Sequence, residues 1–450
     1  MNRKNPPSPP VVKKDERPGW VTEIRKYKII TPLYGGGEET QKADSVTTVR
    51  ATEVRGHLRF WWRATRGGLF SDLKMLHKAE GKIWGSAAVE KEKDSGPSDV
   101  KIVVQTHSKG EEDKPFEVVR SKKSGKPNIQ SRPGSIVPSY AAFPLQPKKE
   151  DAIVGMETLA VRVGVEFALE ITYPKSIEKD VQAALWAWET FGGIGGRTRR
   201  GFGALKLDER WVEDQKVPTA LPQAGQVKTE LEKQLKEYLV ADAKWPVGVP
   251  HIAHILRMKV FPKNPVSPIQ AWRNLIERYQ YFRQFGARVD KTTGEQKNQG
   301  LSLWPEANVL RARLKRPAKW PENMSAPQLA DKFPRAAFGL PILFHLPHDG
   351  DGTFTVQGDK LSPTSEKSYE RLASRLILKP LACANDQYVG IAFVLHGPPE
   401  PPTGLQIKET LPVRKPVKWK LEESEAGSEP LNKILHGQPD VLQAFLDFLN

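Results

Sequence analysis

Between Val161 and Tyr173 every second side chain is apolar: Val161, Val163, Val165, Phe167, Leu169, Ile171 and Tyr173, with Arg162, Glu166, Glu170 and Thr172 among the residues between them. A period of two predicts a half-buried strand. After Pro174 the interval lengthens. Ile177, Val181, Leu185 and Trp188 recur at helical spacing until Gly192 and Gly193 stop the helix, and Phe202 to Leu207 predicts the next strand. Upstream, Val21 to Ile30 and Val100 to Thr106 predict strands on either side of a helix over Thr52 to Phe70. The order is β-α-β-β-α-β.

That order is the ferredoxin-like arrangement shared by RNA-recognition (RRM-like) folds. The Pro- and charge-rich stretch after Asp208 interrupts it, with one helix expected near Thr229 to Leu239. Beyond it, strands are expected at His251 to Phe261, Ala337 to Leu346 and Tyr388 to Leu395, with helices at Ile269 to Phe285 and Glu366 to Leu376. The expected class is α+β, with two tandem ferredoxin-like domains carrying long insertions at 86–99, 107–135 and 287–335. The expected division is a Pro/Lys-rich tail at 1–19, a first domain at 20–210, a linker at 211–249, a second domain at 250–397, and a Pro-rich segment at 398–450 ending in a short amphipathic helix over Leu431 to Leu449. Long polar loops of this kind are functional or disordered.

Charge narrows the partners. With 69 Lys and Arg against 53 Asp and Glu, the chain carries a formal net charge of +16, an excess that favours a polyanion. No apolar run reaches spanning length and the first eighteen residues are Pro- and Lys-rich, so neither a membrane span nor a signal peptide is expected and a cytoplasmic location is. Cys383 is the sole cysteine, which excludes an intrachain disulfide and multi-cysteine metal sites.

The charge is concentrated in two places. In GGIGGRTRRGFGAL, Gly192 to Leu205, six glycines and three arginines share fourteen residues. Glycines admit close approach to the main chain and arginines offer planar donors for phosphate. No dinucleotide spacing is present, and Gly196 to Gly201 has Walker spacing but is followed by Phe202 and Gly203 where Lys and Ser/Thr would stand. Arg200 to Leu207 follows the RNP1 pattern at its first four positions, with Phe202 the one stacking ring it retains. In the predicted helix, Arg55, Arg59, Arg63 and Arg66 fall within about 80° of one another. Val54, Leu58, Trp61, Trp62 and Leu69 take the adjoining arc, and Trp62 borders the arginines. Four like charges at this spacing repel unless acids or phosphates neutralise them.

Six motifs, TPLYGGG at Thr31, EVRGHLRFWWR at Glu53, EGKIWGSA at Glu80, the glycine loop, FPRAAFGLPI at Phe333 and RLASRLILKPL at Arg371, occur in the order seen in RAMP-superfamily proteins. Among these, the chain resembles the first-subunit family of the Cmr complexes, which are type III-B CRISPR effectors. The resemblance implies two RRM-like domains and a place at one end of a ribonucleoprotein, near the guide 3′ end, beside other RAMP subunits and in contact with guide (crRNA) and target RNA. In that family, target cleavage belongs to the repeated backbone subunit and nucleotide chemistry to the large subunit. Arg375 stands where the family tends to have proline.

Catalysis has few candidates. His57 lies in the arginine helix without a second group identifiable beside it, leaving an endoribonuclease as the alternative to a binding protein. A stand-alone single-strand-binding protein is the other alternative. His251 and His254 point to opposite faces of a predicted strand, and His345, His348, Asp349 and Asp351 sit around a turn sequence. No cofactor, metal site or catalytic residue is expected. The RNA contacts expected are Arg55, Arg59, Trp62, Arg63, Arg66, Gly195, Gly196, Arg197, Arg199, Arg200, Gly201 and Phe202. Of these, Arg59, Arg63, Arg199 and Arg200 are expected to be exposed and dispensable for folding.

Overall fold

The alternating segment forms an interior strand of an antiparallel sheet. In the computed structural model, residues 18–39, 41–86, 96–240, 244–289, 296–313, 332–346, 352–358, 371–397, 405–408, 415–417, 420–428 and 431–449 are described. The first unit comprises β1 (Trp20–Ile29), α1 (Ala51–Arg66), α2 (Leu73–Trp84), β2 (Lys101–Asp113), β3 (Phe116–Arg120), β4 (Pro127–Ser131), α3 (Ser139–Ala142), β5 (Val161–Pro174), α4 (Glu178–Phe191), β6 (Leu205–Val212) and β7 (Gln215–Val217). Its sheet runs β2-β5-β1-β6-β7, while β3 and β4 pair as a separate two-stranded ribbon. The β-α-β-β-α-β order expected of residues 20–210 is present, with α2 and the ribbon inserted. Tyr27 on β1 pairs with Phe167 on β5, their rings 5.1 Å apart. Val54, Leu58, Trp61 and Trp62 of α1 join Val181, Leu185 and Trp188 of α4 in the core behind that sheet. Burying each such side chain contributes about 1.5–3 kcal/mol.

The segment expected as a linker is structured. It holds α5 (Val227–Tyr238), whose Val227, Leu231 and Leu235 are buried in the first core. Three-residue β8 (Met258–Val260) replaces the longer strand expected over His251 to Phe261, and α6 (Pro268–Arg283) follows behind Ser267, which caps its N-terminus. Next come β9 (Gly286–Val289), β10 (Gln296–Ser302), α7 (Pro305–Arg313), β11 (Ile342–Leu346), β12 (Gly352–Gly358), β13 (Leu376–Cys383), β14 (Gln387–Val394), β15 (Leu405–Lys408), β16 (Lys415–Val417), α8 (Glu423–Ala426), α9 (Asn432–Leu435) and α10 (Val441–Phe448). They form a β13-β14-β8 sheet, a separate β11-β12-β15-β16 sheet and a β9-β10 pair.

The helix expected over Glu366 to Leu376 is corrected in part. Residues 359–370 lie outside those described, 371–375 are non-helical, and Leu376 opens β13. All eight residues of β13 are buried, so the strand shows no alternation to distinguish it from a buried helix. Among the described residues no fourth strand completes the β13-β14-β8 sheet.

Candidate nucleic-acid interface

The arginine stripe on α1 faces α2 and the turn before β2. Arg55 Nη1 donates to the carbonyls of Trp84 and Val100, each at 3.1 Å, and to Ser98 Oγ at 2.6 Å. Arg59 Nε lies 2.7 Å from Glu80 Oε1, and Arg63 donates to the same oxygen. The Glu80 side chain is 5% exposed and the two guanidinium-bearing side chains 31% and 32%. One carboxylate thus serves two partly exposed cations, and Arg55 is bonded to neutral acceptors alone. Arg66 is buried toward Asp180, 3.4 Å away, and the Tyr238 carbonyl. Trp62 is fully buried and donates to the same Asp180 carboxylate, so it offers no ring to a base, contrary to the expectation for it.

The opposite side of α1 meets the glycine loop. Glu53 Oε1 accepts from Gly195 N–H at 2.8 Å, and Arg199 lies over the Phe60 ring at 5.5 Å. Burial pushes the Glu53 carboxyl up to about 7, while its Oε2 and the Nε of Arg50 are buried without a hydrogen-bond partner. His57 lies on this loop-facing side, about 180° around the helix from Arg66. Desolvation lowers its pKa to about 4, which keeps the ring neutral near pH 7.

What lies against the bare glycines is the protein itself. Gly196 N–H donates to Tyr34 O, Gly203 N–H to Pro32 O, and Thr31 Oγ1 to Gly201 O. Gly201 adopts φ +82°, and a Cβ there would sit 2.5 Å from Trp272 Cδ1 and 2.8 Å from Leu378 O. A Cβ on Gly195, at φ +81°, would meet Leu33 Cδ1 at 2.6 Å. Arg197, itself left-handed at φ +56°, donates through Nε to Ala141 O in α3 at 2.8 Å.

The next two arginines reach into the second unit. Arg199 donates to Ser374 O. Arg200 donates to Leu376 O and Phe338 O, each at 3.0 Å, and to Tyr279 OH at 2.9 Å, with its guanidinium 4.7 Å from the centre of the Tyr279 ring. Desolvation and Arg200 lower Arg199 to about 10. Phe202, fully buried against Tyr34 and Trp272, has no face for a base. The expectation that Arg199 and Arg200 are exposed and dispensable for folding is therefore corrected: carbonyls of the neighbouring unit occupy them.

Sequence spacing found the stripe but not its counter-ion, Glu80, which lies in a quoted motif twenty-one residues from Arg59. It also missed Lys379, fully buried on β13, whose Nζ donates to Glu189 O and Gly192 O at the end of α4 and whose pKa burial lowers to about 7. His251 is not on a strand. Its ring stacks on Trp245 at 4.3 Å. His348, Asp349 and Asp351 lie outside the described residues, as does the side chain of His345. Among the described residues, no group of three His, Cys, Asp or Glu is placed to hold a metal, and no helix is long and apolar enough to cross a membrane.

The RAMP superfamily model matches residues 26–206. The CRISPR system Cmr subunit Cmr1-2 of Pyrococcus furiosus is 25% identical over 191 residues, which is 41% of this chain and 94% of that one. Among solved structures, the apo crystal structure of Cmr1 from Pyrococcus furiosus is similar at a TM-score of 0.47 and 15% identity, over 84% of this chain and 88% of that one. A chain from the type III-B Cmr-beta complex bound to cognate target RNA is similar at 0.47 and 14%, over 96% and 100%. The arginine helix and the glycine loop both fall within the stretch, residues 26–206, that the RAMP superfamily model matches.

Proposed function

We propose that this protein is a non-catalytic RNA-binding subunit of a type III-B CRISPR (Cmr) ribonucleoprotein, acting in the cytoplasm beside other RAMP subunits and gripping guide and target RNA near the guide 3′ end. The observation that carries the RNA contact is the α1 stripe within the RAMP-matched stretch, where Arg59 and Arg63 share the single carboxylate of Glu80 and Arg55 has neutral acceptors alone. A phosphate backbone along that face would supply the missing negative charge. Arg197, half-buried in the loop, is the second residue proposed to meet it, whereas Arg199 and Arg200 hold carbonyls of the second unit. The reading of residues 20–210 and 250–397 as two RRM-like units belongs to the same proposal. It draws on the β2-β5-β1-β6 order in the first unit and the β13-β14-β8 sheet in the second.

A binding role also fits His57, which is neutral and without an ionised partner to raise its basicity. The test is a titration of the full chain with end-labelled single-stranded RNA across a salt series. If four to six phosphates are neutralised, log K should fall against log salt with a slope of roughly −3 to −4. A slope near zero would overturn the electrostatic contact. A discrete cleavage product lost in His57→Ala would replace this reading with the endoribonuclease one.

A further inference from the structure

We propose that the groove between the β3–β4 ribbon, α3 and α6 is a subsite for one unstacked nucleobase of a single-stranded RNA, an inference that rests on the RNA-binding reading above. The groove measures about 300 Å³. That is the small end of the range for ligand clefts, roughly 300–1,000 Å³. Its apolar lining includes Ile129, Tyr140 and Phe143, and its polar lining Ser139, Gln146 and Gln280.

Phe143 is 61% exposed, an unusual position for a large aromatic, and it follows directly on α3 in a 3-10 turn closed by Gln146 N–H to Phe143 O at 3.0 Å. An aromatic ring with an open face at the surface is a stacking platform. Tyr140 is fixed from behind, its hydroxyl accepting from Arg283 at 3.1 Å. Gln280 donates to Gln284, which leaves its own carbonyl oxygen to accept. With the Gln146 amide and the Ser139 hydroxyl, the groove offers both donors and acceptors, as the edge of a base requires.

Charge identifies the occupant as part of a polyanion. Residues 116–132 carry Arg120, Lys122, Lys123, Lys126 and Arg132 against Glu117 alone. The three lysines are exposed at the ribbon tip. A backbone drawn to the ribbon would leave its bases facing the groove. The groove also adjoins the glycine loop, because Arg197 holds Ala141 of α3, so a strand leaving the loop surface has a short path to Phe143.

The test compares the full-length chain binding a twelve-nucleotide oligouridylate and an abasic RNA of equal length. Wild type should prefer the base-containing strand by about tenfold, the scale of one stacked base. Phe143→Ala should abolish that preference while leaving abasic binding unchanged, and Phe143→Trp should restore it. Gln146→Ala with Gln280→Ala should weaken the preference in an otherwise unaltered surface. Equal wild-type affinity for both RNAs, or full preference in Phe143→Ala, overturns the subsite and leaves the backbone contact standing. Binding of neither RNA overturns both readings. Loss of a copurifying RAMP subunit in Phe143→Ala, with base preference intact, would reassign the groove to a protein contact.

Discussion

At the scale of the residue, Glu80 separates two roles of arginine that composition cannot. Replacing it by Gln leaves Arg59 and Arg63 facing each other without a counter-charge, which should cost about 1–3 kcal/mol of stability by denaturant titration. The same variant gains net positive charge on α1, so its RNA affinity should rise. Arg59→Ala with Arg63→Ala should lower both, and a Glu80→Gln protein that binds RNA more weakly would place the stripe away from the RNA. Glu53 gives a pH signature. Its carboxyl titrates near 7 in the folded chain against 4.5 in a free one, so between those values the folded state holds a proton that the unfolded state has released. Its contribution to stability is full below about pH 4.5 and is lost as pH rises to about 7. Glu53→Gln should therefore raise the melting temperature at pH 8 more than at pH 5. The i,i+4 spacing revealed which arginines share a face, but a partner supplied by another helix leaves no local mark.

At the scale of the element, the loop from Gly192 to Ala204 is a fastener. Gly201→Ala forces a Cβ into Trp272 at a left-handed φ and should cost about 2–4 kcal/mol in chemical denaturation. Arg200→Ala should destabilise to a similar degree, and Arg200→Lys should not rescue it, because one ammonium cannot reproduce the planar fork that meets two carbonyls and a hydroxyl. Unchanged stability in both alanine variants would return the loop to the surface. The strand β1 and the helix α6 were legible because each has one buried face and one wet face, and the largely buried α4 because proline and paired glycines bracket its helical spacing. Buried on both, β13 was not. The loop's glycines and arginines announced a close approach, yet internal packing and an outside ligand ask for the same residue types.

At the scale of the whole molecule, both principal cores draw on both halves of the chain. Ile377, Leu381 and Phe393 pack with Trp61 and Phe191 in one, while Tyr34, Phe116 and Phe202 pack with Trp272 and Leu378 in the other. Phe191 and Phe393 stack with centroids 4.4 Å apart. Thermal unfolding followed by tryptophan fluorescence and by far-UV circular dichroism should accordingly give coincident transitions, whereas two separated ones would mark the units as independent. Sequence predicted a joint at 211–249 because proline and charge interrupt the pattern there, but a linker and a packed strap have similar compositions. The arginine fasteners carry a consequence for modularity. A fragment ending near Val217 would lose the carbonyls that receive Arg199 and Arg200 and would lay bare Phe202 together with its neighbouring apolar wall. Neither piece is then a transplantable module, and chimeras between relatives should work when their crossover points fall outside this shared seam. Severed halves produced in one cell should recover solubility from each other, as complementing fragments do, and each made alone should collect in inclusion bodies.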